Sequence, residues 1–172
     1  MTSQTDASDS FQAALRILKQ TFGYDAFRSH QAEIVKAVLA GENCQVIMLT
    51  GMGKSLCFQV PAIVLAERDQ AGAASGSDAP VRRPGMTLVL SPLIALMKDQ
   101  VDALVAKGVR AAFVNSSLKR HERLERYQQI ADGMFDIVYV SPERFRKPDF
   151  CEIMTKRAVL CLLYTSPSPR DS

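Results

Sequence analysis

A glycine-rich turn at residues 50–55 constrains the fold of this chain more than any other segment. The turn reads Thr50, Gly51, Met52, Gly53, Lys54, Ser55. It follows the apolar run 46–49 and precedes the helix-forming run 56–67. Glycines let a backbone approach an anion closely, and the N–H groups at a helix start can then point at that anion. The order of strand, turn and helix therefore predicts a nucleotide phosphate loop.

The residue types at the end of the turn suit a nucleotide with Mg²⁺. Lys54 would reach the β- and γ-phosphates of ATP or GTP, and the Ser55 hydroxyl would contact Mg²⁺. The strict phosphate-loop pattern asks for glycine at the position of Met48. A variant that opens on threonine, as Thr50 does here, is the form used by helicase-type motors. The alternative is an ordinary glycine turn beside an incidental lysine, and the strand–turn–helix order argues against it.

Length and composition bound the remaining possibilities. A chain of 172 residues, 47% of them hydrophobic, is long enough for one domain with a sizeable core. The net charge of +3 is compatible with nucleic acid and too small to argue for it alone. Four cysteines occur without a Cys-x-x-Cys pair, which predicts reduced thiols and no zinc site. No apolar run approaches the roughly 20 residues that span a bilayer, so we expect a cytoplasmic protein without a membrane partner.

Hydrophobic periodicity and turn residues predict alternating helices and strands. Residues 1–10 are expected to be disordered, and residues 69–84, which are small and polar, a mobile loop. The predicted helices are 10–22, 29–40, 54–66, 93–107 and 119–131. The predicted strands are 45–49, 87–90, 111–114, 136–140 and 158–164.

Short apolar strands that alternate with helices predict an α/β fold, with a parallel sheet covered by helices on both faces. Ligands of such sheets bind outside the carboxyl ends of the strands. The turns after strands 45–49, 87–90 and 136–140 are therefore expected to share one edge of the sheet.

Five segments together resemble the first motor domain of RecQ-type DNA helicases, in helicase superfamily 2. They are residues 22–31, 50–61, 91–100, 114–117 and 141–144, and the likeness extends from about Leu15 to Leu160. The string 91–100, Ser-Pro-Leu-Ile-Ala-Leu-Met-Lys-Asp-Gln, is the most family-specific. The resemblance implies a RecA-like ATP-binding domain over residues 11–160. It also implies ATP and Mg²⁺ as cofactors, and 3′ to 5′ unwinding of single-stranded or forked DNA.

The segment 22–31 resembles the adenine-recognition element of this family. The Tyr24 ring can stack on a base, Arg28 can stack or donate, and the Gln31 amide can pair with the donor and acceptor edge of adenine. The alternative is a helical turn with core aromatic residues.

Other motifs resemble the strand-tracking motifs of the family. The implied contacts with nucleic acid are Ser91, Pro92, Lys98, Asn115, Ser116, Ser141, Arg144. Hydroxyls, amides and N–H groups at helix starts suit a phosphate backbone that is bound without reading its sequence. A Ser-Pro pair taken alone favours an ordinary helix start, and the other motifs beside it favour the DNA contact. The basic residues of the next predicted helix are interpreted as a solvated face, with a DNA contact as the alternative. They are Lys119, Arg120, Arg123 and Arg126.

The last residues depart from the family pattern. After Leu160 the family continues into an Asp-Glu-Ala-His motif, which holds Mg²⁺ and positions the attacking water. This chain has Cys161-Leu162-Leu163-Tyr164 instead. Residues 161–172 resemble translated sequencing-adapter read-through, so we expect them to be non-native and the domain to be truncated before the acidic motif. An isolated fragment of this kind is expected not to unwind DNA.

Two other functions remain open on sequence grounds. One is a different phosphate-loop phosphotransferase, such as a small kinase. The other is a nucleic-acid-binding module without catalysis, whose binding would depend on salt and not on Lys54.

Overall fold

The computed structural model describes residues 3–28, 30–48, 51–74 and 85–164. The chain forms two compact units, Met1–Leu65 and Ala66–Ser172. Thr50, the first residue of the predicted phosphate loop, lies outside the described residues.

The first unit is helical. Its helices are α1 (Ser3–Phe22), α2 (Gln31–Leu39) and the first turns of α3 (Leu56–Ala74). Apolar residues of the three helices meet in one core. The buried core residues are Ala14, Ile17, Leu18, Val35, Val60 and Val64. This core fixes the start of α3, and with it the glycine-rich turn.

Two predictions for this unit are wrong. Residues 3–10, expected to be disordered, belong to α1. Ser10 is 5% exposed within that helix, so packing holds part of a segment whose polar composition predicted disorder. Residues 45–48, expected to be a strand, form no strand, and the side chain of Ile47 is 91% exposed. Apolar residues alone do not make a strand, because its N–H and C=O groups need a neighbouring backbone.

The second unit confirms the predicted α/β fold with a parallel sheet. Its strands are β1 (Met86–Leu90), β2 (Ala111–Val114), β3 (Ile137–Val140) and β4 (Val159–Tyr164). They form one sheet in the order β2-β3-β1-β4, with every pair parallel. The connecting helices are α4 (Ile94–Ala106), α5 (Arg120–Ala131), a 3₁₀ helix (Pro142–Arg146) and α6 (Pro148–Thr155).

Both faces of the central strands are buried, as the near-continuous apolar strands predicted. Alternate residues of β1 and β3, among them Leu88 and Val138, pack with Tyr127 and Phe150 of α5 and α6. The residues between them, such as Val89, are equally buried. Leu90 pairs with Val140, so β1 and β3 end together at the carboxyl edge of the sheet. That edge positions the residues that were predicted to contact DNA.

Of two segments beside the sheet, the first differs from expectation and the second agrees with the predicted strand 158–164. The predicted loop 69–84 is wrong at its start, because α3 continues to Ala74 and residues 75–84 lie outside the described residues. The helix is held there by polar contacts, since Asp69 accepts a hydrogen bond from the Gly85 N–H at 2.5 Å and Gln70 donates to Asp136 at 3.2 Å. At the other side, residues 161–164 continue β4 and pair with β1.

Candidate functional site

The glycine-rich turn leads directly into the first turn of α3. Gly51 and Gly53 have φ angles of +84° and +74°, which side-chain-bearing residues rarely adopt. The N–H of Leu56 donates to the Gly53 carbonyl at 3.1 Å, and the N–H of Cys57 donates to the Lys54 carbonyl at 3.1 Å. Helical hydrogen bonding therefore begins inside the turn, and the turn ends at a helix N-terminus that favours an anion.

Lys54 and Ser55 have the exposure that a ligand needs. Both residues are partly exposed at the start of α3, and Met52 is 39% exposed. Among the described residues, the Lys54 ammonium has no carboxylate partner. An unpaired cation beside a helix N-terminus can bind phosphate, and the Ser55 hydroxyl can join the oxygen ligands that Mg²⁺ prefers. These residues fit a magnesium–nucleotide complex.

The interior beneath the turn is closed. Cys57 is 5% exposed, and its Sγ lies 4.0 Å from both the Met48 Sδ and the Gly53 carbonyl oxygen. Burial raises the pKa of the Cys57 thiol to about 11, so it stays protonated at neutral pH. The turn thus has an apolar side toward the core and a polar side toward solvent.

The predicted adenine residues lie next to the C-terminal end of α1. Gly23, at φ +77°, ends that helix, and the Tyr24 N–H donates to the Leu18 carbonyl at 3.2 Å. The Tyr24 ring is left 46% exposed, and the Arg28 guanidinium carbon lies 5.9 Å from its centroid. One exposed face of an aromatic ring beside a cation is a suitable stacking surface for a base.

Gln31 is brought to the phosphate loop itself, a contact that no local sequence pattern indicates. Its Nε2 donates to the Met52 carbonyl at 3.0 Å and to the Gly53 carbonyl at 3.3 Å. Its Oε1 accepts from the Arg28 N–H at 2.8 Å, and the residue is 2% exposed. The amide expected to pair with adenine is therefore bonded to the protein, across 21 residues of sequence from Met52.

The structure brings three predicted DNA contacts to the carboxyl edge of the sheet. Ser91, Asn115 and Ser141 follow β1, β2 and β3, and are 4%, 0% and 1% exposed. The Ser91 N–H donates to Val140 and the Ser141 N–H donates to Val114, so the turns continue the parallel ladder. The turns after β1 and β3 share one edge, as predicted, and the turn after β2 lies there as well. The third turn of that prediction followed residues 45–49, and residues 45–48 form no strand.

The side chains of these three residues are used inside the turns. The Ser91 Oγ accepts from the Leu93 N–H at 3.3 Å, which caps the start of α4. The Asn115 Oδ1 accepts from the N–H and the hydroxyl of Ser117, at 2.9 and 2.6 Å. The Ser141 hydroxyl donates to Glu143 at 2.5 Å. Such contacts shape the edge and leave little of each side chain for a ligand.

The exposed predicted contacts lie one residue beyond the buried ones or further along α4. Pro92 and Ser116 are exposed and follow Ser91 and Asn115. Lys98 is exposed on the first turns of α4, where an ion pair with Asp102 raises the pKa of its ammonium. A DNA backbone at this edge can therefore reach these three exposed residues, and it cannot reach the buried ones without a change in their turns.

Arg144 is placed away from solvent. It is 8% exposed and lies close to Tyr127, whose pKa is raised by burial and by Asp149 and lowered in part by Arg144. Contact with DNA would require its guanidinium to move.

Arg126, on the basic helix face, is also half-buried. Arg126 lies 5.7 Å from the centroid of Phe113 and 5.6 Å from that of Phe135, and donates to the Phe113 carbonyl at 3.2 Å. Its burial lowers the pKa of the guanidinium. The interpretation as a solvated face is therefore wrong for Arg126. A single arginine between aromatic residues gives no helical pattern from which this could be predicted.

Within the described ranges, no group of three or more His, Cys, Asp or Glu side chains is arranged to hold a metal ion. No helix among those ranges is both long and apolar enough to cross a membrane.

Comparison with known proteins decides the family. The family model described as DEAD/DEAH box helicase matches residues 28–160, which contain Gln31, the phosphate loop and the sheet except for residues 161–164 of β4. The chain belongs to the DEAD/DEAH box helicases. The expected RecA-like α/β fold agrees with this family and with the parallel sheet.

The curated relatives of this helicase domain are of the RecQ type. The chain is 39% identical to an "ATP-dependent DNA helicase RecQ" of Haemophilus influenzae over 142 residues, which is 83% of the chain and 20% of the relative. It is 40% identical to the protein of that name from Pasteurella multocida over 84% of the chain and 20% of the relative. It is 39% identical to the Bacillus subtilis protein of that name over 82% of the chain and 21% of the relative. The chain thus spans about a fifth of the length of these relatives.

Proposed function

We propose that the parent protein is an ATP-dependent DNA helicase and that this chain supplies part of its ATP-binding motor domain. The observation that carries the proposal is the glycine-rich turn, which ends at a helix N-terminus with Lys54 lacking a carboxylate partner among the described residues. The match to DEAD/DEAH box helicases and the names of the RecQ relatives support it. We propose that the parent protein acts in the cytoplasm.

Residues of the first unit would hold ATP. Lys54 and the N–H groups at the start of α3 would bind its phosphates, Ser55 would contact Mg²⁺, and Tyr24 with Arg28 would flank the adenine. ATP supplies the γ-phosphoryl group, and its transfer to water drives strand separation. The chain's own residues bind the phosphates and orient the base.

Residues of the second unit would touch the DNA backbone. Pro92, Lys98 and Ser116 are the exposed predicted contacts, and the buried Ser91, Asn115 and Ser141 keep their turns in place. Contacts to phosphate carry no sequence information, which suits an enzyme that moves along DNA. We propose single-stranded or forked DNA as the substrate, with movement from 3′ to 5′.

The 172-residue chain alone is proposed to bind nucleotide without unwinding DNA. The family's acidic motif would follow Leu160, and this chain has Cys161-Leu162-Leu163 there. Without carboxylates at that strand end, Mg²⁺ and the attacking water lose the groups that position them. ATP-driven strand separation by this chain would contradict the proposal.

Nucleotide binding to a Lys54→Ala variant tests the function. Loss of a charge-assisted contact with phosphate is expected to weaken ATP binding by about 10- to 100-fold, measured by calorimetry with Mg²⁺ present. Lys107→Ala, which removes an exposed lysine at the end of α4, is the matched control and should bind as the wild type does. DNA binding indifferent to ATP and to Lys54→Ala would favour the non-catalytic module instead. Transfer of the phosphoryl group to a small acceptor would favour a kinase.

A further inference from the structure

The Gln31 side chain has no donor left for a nucleotide base in the conformation observed. Both N–H groups of its amide are directed at the Met52 and Gly53 carbonyls, and its oxygen accepts from the Arg28 N–H. At 2% exposure, it cannot exchange these partners for water. Pairing with adenine would require it to give up the bonds that it makes to the phosphate loop.

Those bonds determine where the loop's own donors point. A trans peptide is planar, so its N–H lies opposite its C=O. The Met52 carbonyl shares a peptide with the Gly53 N–H, and the Gly53 carbonyl shares one with the Lys54 N–H. By holding the two carbonyls, Gln31 directs these two N–H groups away from itself. Among the described residues, no backbone group accepts from either N–H.

The contact is also close enough that a side chain at position 53 would displace the Gln31 amide. A Cβ atom added there would lie 2.5 Å from the Gln31 Nε2, and φ at this residue is +74°. The same Gly53 carbonyl accepts from the Leu56 N–H at 3.1 Å. Gln31 and the first turn of α3 therefore hold one peptide from two sides, which restrains the loop before any ligand binds.

We propose that Gln31 is a positioning residue for phosphate binding: it holds the Met52 and Gly53 carbonyls so that the Gly53 and Lys54 N–H groups are presented to a polyphosphate. This role does not need a base. It deepens the proposed nucleotide binding and rests on it. The resemblance to helicases implies adenine pairing for Gln31, which would affect only ligands that carry a base. The positioning role would affect any polyphosphate.

Inorganic tripolyphosphate separates the two roles because it has phosphates and no base. Its affinity with Mg²⁺, measured by calorimetry, is expected to fall about tenfold in Gln31→Leu, which keeps the volume and loses two hydrogen bonds to the loop. ATP affinity should fall by at least as much. Gln20→Ala, on the exposed face of α1, is the control and should bind both ligands as the wild type does. Unchanged or tighter tripolyphosphate binding by folded Gln31→Leu would overturn the proposal.

A measurement on the unsubstituted chain covers the case in which Gln31→Leu fails to fold. The side-chain NH₂ signals of Gln31, followed by NMR hydrogen exchange, should stay protected when tripolyphosphate or ATP is bound. Loss of that protection in either complex would overturn the proposal, because the amide would have left the loop. Wild-type chain that binds neither ATP nor tripolyphosphate would remove the proposed function itself. ATP binding that depends on Lys54 while Gln31→Leu is neutral toward tripolyphosphate would remove only the positioning role.

Discussion

The phosphate-loop region and the carboxyl edge of the sheet use their polar groups in opposite ways. At the loop, Lys54 has no carboxylate partner among the described residues, and the N–H groups of Gly53 and Lys54 have no backbone acceptor there. At the sheet edge, the hydroxyl of Ser141 and the amide of Asn115 are bonded to their own turns. Short motifs in the sequence predicted ligand-binding side chains at both places.

The difference shows that a motif residue can act through what it shapes. A buried polar side chain that completes a turn stabilises the turn, and the exposed neighbour then meets the ligand. Gln31 belongs to this class although it lies in the loop region, because its bonds go to loop carbonyls. Three substitutions test the comparison, taken in order of decreasing expected effect.

The largest expected effect is on folding, at the sheet edge. Asn115→Ala removes the acceptor of two hydrogen bonds from a fully buried site, so the free energy of unfolding should fall by about 2 kcal/mol. Urea unfolding followed by circular dichroism measures it. Ser116→Ala, one residue along and exposed, should change it by less than about 0.5 kcal/mol. Equal effects of the two substitutions would break the distinction between shaping and contacting residues.

Much of the second unit could be predicted from the sequence, because its elements are marked by local patterns. Apolar strands bounded by turn residues are local signals, and β2 was predicted at its observed bounds, residues 111–114. Gly108, at φ +79°, follows α4 and marks the stop that the sequence predicted. Where pairing with a distant backbone decides the outcome, as at residues 45–48, the local pattern predicted a strand and was wrong.

The second effect concerns the closed side of the phosphate loop. Burial keeps the Cys57 thiol protonated in the folded chain until its pKa of about 11, whereas in the unfolded chain it ionises around the usual 9.0. Stability is therefore unaffected below about pH 9 and falls as pH rises toward 11. At pH 10 the free energy of unfolding should be lower by about 1 kcal/mol. This decrease should be absent in Cys57→Ala and present in Cys44→Ala. Urea unfolding across this pH range measures the decrease. Identical pH profiles for the wild type and Cys57→Ala would show that the Cys57 thiol is accessible to solvent beneath the loop.

The contact between Gln31 and the loop could not be predicted from the sequence. A glutamine near the start of α2 gives no local indication of a partner 21 residues away. The packing of α1, α2 and α3 in one core brings the two segments together. Side-chain chemistry alone suggested adenine for this amide, because the same donor and acceptor groups that suit a base also suit backbone carbonyls.

The smallest effect is at the exposed sheet edge, where contact with DNA is proposed. Lys98→Ala should weaken binding of single-stranded DNA about threefold at low salt and lower the slope of log K against log salt by about 0.7, as expected for one lost phosphate contact. Fluorescence anisotropy over a salt series measures both. Asp102→Ala is the matched control: it removes the ion-pair partner of Lys98, so DNA affinity should be equal or higher. An unchanged slope in Lys98→Ala would mean that this part of α4 does not meet the backbone, and that exposure at the edge does not by itself identify the contacting residues.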